Sequence, residues 1–597
     1  MPRHAIRPAI ATLLAAVLSA CGGGGDATEA VVAQAPVAGA LNDNTTYSSA
    51  AGASLASSTE NAAQTAHTLT LAGASFTYSA SAGHLDARDP LTGATRASMF
   101  YVAYTVAAPA ASRPLVFFFN GGPGSATVWL HLGSFAPRRV VTHAPATTVP
   151  LPFALVDNAE SLIDVADLVF VDAVGTGYSE AVAPNTNQTF WSVDGDAALM
   201  RDFIARYVAV HQRAASPTFV LGESYGTTRA AVLADLMLAA GMRLDGVILL
   251  SSVLDYNSNC DLLAPGDLSC EGFLPSYGET GAWHGRVQPP RTDADAYADV
   301  LRAFASSPYG PAAIAFAATR EPAPPALIDQ LVALTGAPAA AWDANLDLDP
   351  LTFRQVLVAG QLLGRYDARI GAPIGSALAA SGDPSSALIS APFAAAAKQL
   401  FSQELGYVAS AGYTMLSGAI SSWDFDHDGR PLPDTIVDLG AALARHPGLR
   451  VLSLAGYHDV ATPFRQTELD LGRLGVQPTV FRRVYPGGHM TYLDDGSRVR
   501  LKADIATFVS GAPMVPSANV SLPIAAAAAP RPVSPRLAPA TAGATSVVLD
   551  RSALAQGGDP WVRPALRVPP SAPSPHGAAL AARVQAKIAE RDRDVYR

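Results

Sequence analysis

Between residues 115 and 250 the hydrophobic positions fall in short unbroken runs, separated by longer stretches with helical period. The runs are Leu115–Phe119, 168–171, 219–221 and Gly246–Leu250, and two more lie far downstream at 450–454 and 480–484. Strands buried on both faces read this way, because neither face alternates with water. Between the runs, residues 196–211 place Leu199, Phe203, Ile204, Tyr207 and Val208 on one helical face, and residues 228–240 form a second helical stretch. Ahead of them, residues 67–113 carry alternating runs such as 76–80 and 98–104, which predict a leading antiparallel meander. The predicted fold class is α/β, with a mixed, mostly parallel central sheet. From 257 to 434 the strand signal fades into Ala-rich helical pieces and loops. That change predicts a largely helical cap inserted after a sheet strand.

Composition sets the remaining boundaries. Of 597 residues 49% are hydrophobic and only 15% charged, which excludes wholesale disorder. The formal net charge is −10 and no basic stripe is present, so nucleic acid is not an expected partner. Arg3, His4 and Arg7 precede an apolar stretch at 9–18 that is too short to span a bilayer, the pattern of an export signal. It closes on Leu18-Ser19-Ala20-Cys21, which resembles the bacterial lipoprotein cleavage box. That resemblance implies cleavage before Cys21, lipidation of its thiol and a membrane-anchored protein outside the cytoplasm. Expected segments are the signal (1–21), a flexible spacer (22–65), a first core part (66–256), the cap (257–434), a second core part (435–512) and an Ala/Pro-rich disordered tail (513–597). Apart from Cys21 the cysteines are Cys260 and Cys270. In an exported chain they predict a disulfide over two buried thiols, and two cysteines without histidines in zinc-like spacing make a poor metal site.

The chemistry begins at Gly222-Glu223-Ser224-Tyr225-Gly226, a G-x-S-x-G pentapeptide after a predicted strand and before a predicted helix. In that setting Ser224 is the candidate nucleophile, with small neighbours where a sharp turn leaves no room. A free hydroxyl is almost wholly protonated at neutral pH and needs a base. His489 is the candidate, in the glycine-rich loop Pro486-Gly487-Gly488-His489-Met490 after the last predicted strand. Asp459 follows the strand before that one and is placed to orient the imidazole and stabilise its charged form. The tetrahedral oxyanion needs fixed N–H donors. Asn120-Gly121-Gly122-Pro123-Gly124, after the run Leu115–Phe119, offers Gly122 N–H, and the elbow offers Tyr225 N–H. A calcium-loop-like stretch, Asp424 to Gly429, lacks the closing glutamate, since Thr435 takes its place; a polar cap-to-core turn is the expectation there.

Four separated stretches resemble the serine carboxypeptidase family: Asn120 to Ser125, Asp172 to Ser179, Gly222 to Gly226, and Gly488-His489-Met490. The resemblance implies an α/β-hydrolase fold with a helical cap, the set Ser224, Asp459 and His489, a peptide substrate cut at its C-terminus, and no cofactor. It further implies that Asn120 and Glu223 hold the substrate's terminal carboxylate. A carboxylate facing a carboxylate requires one of them to be protonated, which burial favours at Glu223. Two alternatives stand beside this reading: an esterase or acyltransferase using the same three residues, and a non-catalytic surface binding protein on a hydrolase scaffold. The departures, Phe118 where the family has Trp and Ser125 where it has a disulfide cysteine, bear on substrate preference.

Overall fold

The computed structural model describes residues 39–107, 112–147, 153–261 and 270–514. All belong to the unit Val37–Arg597; the chain's other unit, Met1–Pro36, lies outside them. The signal with Cys21, the first part of the spacer and the tail from residue 515 therefore fall outside the described residues.

A ten-stranded mixed sheet organises the rest. Six strands run parallel in the order Val480–Tyr485, Arg450–Gly456, Gly246–Leu250, Thr218–Glu223, Leu115–Phe119, Asp167–Val171. The sheet continues antiparallel through Thr95–Val106, Ala74–Arg88 and Asn61–Leu71, with Glu180–Ala181 also paired to Thr95–Val106. This is the α/β-hydrolase arrangement, with the meander leading into the parallel strands. Alternate residues of each strand feed opposite faces. Val116 and Phe118 join one core with Leu221, Ile248 and Leu454, while Phe117 joins the other with Val220, Val247 and Val451. Burying each such large side chain contributes about 1.5–3 kcal/mol. Helices Val193–Val210, Tyr225–Ala239 and Ile436–Arg445 cover the second face with Leu199, Phe203, Leu233 and Leu439. Helices Val128–Gly133 and Asp495–Val509 cover the first with Leu130, Leu501 and Ile505.

The insertion is helical, and its first half builds its own core from Phe273, Tyr277, Trp342 and Phe353. The second half also contributes to the core of the sheet. Helix Pro384–Gln399 and the chain after it pack Phe393, Phe401 and Tyr407 into the first-face core of the sheet. Strands also occur within the insertion, at Gln361–Leu363 with Gly371–Pro373, and at Tyr407–Ala409 parallel to Leu41–Asp43. Ladders of three residues are too short to leave a readable period.

Residues 39–65 correct the expectation of a mobile spacer through to 65. Asp43 accepts hydrogen bonds from Tyr407 (2.6 Å) and Tyr47 (2.8 Å), and the Asn187 amide donates to Ser48 O and Ala50 O. Glu180 accepts Ser48 N–H, and from Asn61 onward the chain is a sheet strand. Small polar residues are ordered here by hydrogen bonds to the body, a source of order that apolar composition does not register. Cys260 and Cys270 are joined in a disulfide. Among the described residues no helix is long and apolar enough to cross a membrane.

Candidate active site

Strand Thr218–Glu223 ends directly on Ser224, and helix Tyr225–Ala239 starts on the next residue. Ser224 sits at φ 59°, ψ −128°, a conformation that costs a non-glycine residue about 1–3 kcal/mol. Its surroundings hold it there: Ser224 N–H donates to Leu250 O (3.0 Å), and Ser224 O accepts from Thr227 N–H (2.8 Å) and the Thr227 hydroxyl (2.7 Å). The flanking glycines are required sterically. A Cβ on Gly222 would lie 2.0 Å from Gly226 O, and one on Gly226 would lie 2.8 Å from Phe119 O.

The Asn120-Gly121-Gly122 turn runs against this elbow, since a Cβ on Gly121 would lie 2.5 Å from Tyr225 N. Gly122 adopts φ +102°, which turns the chain where a side chain would be strained. Asp172 fixes the far end of the turn by accepting Thr127 N–H at 2.7 Å, and Asn120 Oδ1 accepts Leu130 N–H at 3.0 Å. Among the described residues, neither Gly122 N–H nor Tyr225 N–H donates to another group. The turn and the elbow thus each carry one main-chain donor that is not used within the fold.

Asp459 and His489 leave the carboxyl ends of neighbouring strands and meet, with His489 Nδ1 2.9 Å from Asp459 Oδ2. Both are buried, His489 at 2% and Asp459 at 0% exposure. Asp459 Oδ1 accepts Ala461 and Thr462 N–H at 2.8 and 3.0 Å, and the Thr462 hydroxyl donates to Oδ2 at 2.7 Å. Burial opposes charge on each partner, but the attraction between them prevails. The His489 pKa rises above its ordinary value and that of Asp459 falls below its own. Strand Gly246–Leu250 ties this pair to the elbow: Leu250 O holds Ser224 N–H, and the Ser251 hydroxyl donates to His489 O at 2.6 Å. Among the described residues no hydrogen bond joins Ser224 Oγ to the imidazole. Such contacts commonly tighten only when substrate is bound.

Glu223 lies on the inner side of the elbow at 1% exposure. Its Oε2 accepts both Asn120 Nδ2–H (3.1 Å) and the Tyr492 hydroxyl (2.8 Å). Burial pushes its pKa up to about 7, against the opposing effects of the His489 charge and these two hydrogen bonds. Motif reasoning misses Tyr492 and Thr462. Each stands three residues after a candidate, His489 and Asp459 respectively, and that turn spacing is the signal that could find them.

The calcium-like loop is built around a cation of its own. His427 Nδ1 lies 2.7 Å from Asp194 Oδ1 and Nε2 2.9 Å from Asp438 Oδ2, occupying both ring nitrogens. Burial works against the imidazolium, but the two carboxylates outweigh it and push the pKa up to about 10. A histidine with a raised folded-state pKa stabilises fully below its unfolded value and loses that contribution as pH rises through the folded one. Replacing His427 with Ala is therefore expected to cost about 2 kcal/mol near pH 6. In thermal melts the deficit should shrink steadily towards pH 10; a deficit independent of pH would contradict the charged clamp.

With the elbow, the glycine turn and the buried acid beside it in place, a family match narrows the chemistry. Residues 73–266 match the serine carboxypeptidase family. The matched stretch contains the glycine turn, the Asp172 loop and the serine elbow; Asp459 and His489 lie beyond it. Fold and match together support a serine hydrolase of the serine carboxypeptidase kind. No curated protein matches the chain. Among solved structures, a prohormone-processing carboxypeptidase from Saccharomyces cerevisiae shares 15% identity over 72% of this chain and 91% of its own, with a TM-score of 0.47. A proline iminopeptidase from Mycobacterium smegmatis shares 16% identity over 75% and 98%, with a TM-score of 0.30.

Proposed function

We propose that the protein is a serine carboxypeptidase that removes C-terminal residues from peptides through an acyl-enzyme on Ser224. In this reading His489 takes the Ser224 proton as Oγ attacks the last peptide carbonyl, and Asp459 stabilises the imidazolium that forms. Gly122 and Tyr225 N–H hold the oxyanion. His489 then gives its proton to the departing amino acid, and water repeats the sequence to free Ser224. We further propose, from the residue 18–21 sequence, that the protein is exported and anchored by a lipid on Cys21.

The observation that carries the carboxypeptidase reading is the Glu223 site. Both donors, Asn120 and Tyr492, converge on Oε2, so a proton on the carboxyl belongs on Oε1, free to donate to a substrate carboxylate. With a pKa near 7 the acid is protonated below neutrality and charged above it. Peptide kcat/KM should therefore fall by about tenfold per pH unit above about 7, while a neutral ester lacks this limb. Glu223→Gln, which cannot ionise, should flatten the peptide profile; a descending limb unchanged in that variant would remove Glu223 from the role. The function itself is tested by mass spectrometry of products from peptides with blocked N-termini. Stepwise loss of single C-terminal residues supports it, and ester cleavage without any such loss defeats it.

A further inference from the structure

The cap is not confined to covering the site. One of its segments, residues 365–369, is hydrogen-bonded into both loops that carry the acid and the base. Val460 N–H donates to Arg365 O (3.2 Å), His489 N–H to Tyr366 O (2.6 Å), and Ala368 N–H to His458 O (3.0 Å). The Tyr366 ring also lies flat on the imidazole of His489, with centroids 4.5 Å apart and planes 13° from parallel. The fit is close on the neighbouring residue too, since a Cβ on Gly488 would lie 2.2 Å from Tyr366 O.

The segment is itself held from two directions. Asp383, fully buried, accepts Arg365 N–H at 2.9 Å and Tyr366 N–H at 3.4 Å. Arg369 pairs with Asp367 (2.7 Å) and Asp494 (2.9 Å) and donates to Pro486 O at the start of the His489 loop. A segment so fixed acts as a template for the groups it touches, and a flat ring on one face of an imidazole restricts its rotation.

We propose that Tyr366 is a positioning residue for the reaction: its ring and main chain, together with Arg365 and Ala368, hold the imidazole of His489 in register with the Asp459 loop. The inserted cap is thereby a working part of the acid–base machinery. Arg365 adds an electrostatic component. Its guanidinium lies 5.3 Å from the centre of the Tyr366 ring and pairs with Asp261 at 3.0 Å. The charged groups bearing on His489 are Asp459 and Glu223, which favour imidazolium, and Arg365, which disfavours it. Removing Arg365 therefore raises the His489 pKa.

This proposal rests on His489 acting as the base for Ser224, and its test uses readouts independent of C-terminal specificity: fluorophosphonate labelling and turnover of a neutral ester by the full-length protein. Tyr366→Leu keeps apolar bulk and the main-chain contacts but loses the flat ring. It should lower both the labelling rate and ester kcat by about 10²-fold with KM little changed. Tyr366→Phe should restore both, and Arg365→Gln should move the acid limb of the ester kcat/KM profile to higher pH. A Tyr366→Leu protein with wild-type labelling and kcat overturns the proposal, as does a Tyr366→Phe protein as impaired as the Leu variant. A rise in KM alone would make Tyr366 a substrate contact and overturn it equally. An acid limb left in place by Arg365→Gln removes the electrostatic component. Failure of the wild-type protein to label at all is a different result, which refutes the role proposed for Ser224 and His489.

Discussion

Ser224→Ala and His489→Ala are each expected to lower kcat by about 10⁶-fold, and the double variant to be no worse than either alone. The non-additivity follows from how the groups act. Ser224 is a poor nucleophile until its proton is removed, and the imidazole has no covalent chemistry of its own, so losing either member removes the whole step. The remaining activity is that of the oxyanion donors and substrate binding, which neither substitution touches. Steady-state kinetics on an ester and on a blocked peptide check this. Losses that multiply in the double variant would mean that the two residues act independently and would contradict the shared step.

Asp459→Asn is expected to lower kcat by about 10⁴-fold with little change in KM. The wild-type carboxylate is surrounded by donors: Ala461 and Thr462 N–H on Oδ1, with the Thr462 hydroxyl and the imidazole on Oδ2. An asparagine can keep its oxygen on the two main-chain donors, and its NH₂ then points at His489 Nδ1. That arrangement favours the imidazole tautomer with its proton on Nε2, the nitrogen that must accept the Ser224 proton. It also withdraws the negative charge that holds the His489 pKa up, so imidazolium is no longer stabilised. Activity within an order of magnitude of wild type would show that the orientation of His489 does not depend on Asp459.

Most of the sheet was legible because its strands are buried on both faces, and unbroken apolar runs such as Leu115–Phe119 and Gly246–Leu250 are too short for helices and too uniform for half-exposed strands. The elbow was legible for a local reason, since Gly222 and Gly226 are demanded by backbone contacts within the motif and its packing. Asp459 and His489 could be located because each follows a strand end, where an α/β sheet gathers its chemistry. What escaped was held by contacts distant in sequence. Residues 39–60 are ordered by hydrogen bonds donated by Tyr407 and Asn187 and accepted by Glu180, and no composition rule anticipates partners so remote. The second half of the cap reads as Ala-rich helix, and only the packing of Phe393 and Phe401 into the sheet core reveals where it belongs. Tyr366 sits in an irregular segment with no motif, and only its ring and main-chain contacts with His489 single it out.

Whether Ser224 is an activated nucleophile is tested most directly by fluorophosphonate labelling followed by intact-mass and peptide mapping. The wild-type protein should gain a single phosphonyl adduct located on Ser224, and Ser224→Ala should gain none. A wild-type protein that remains unlabelled, or that carries the adduct on another residue, would contradict the account.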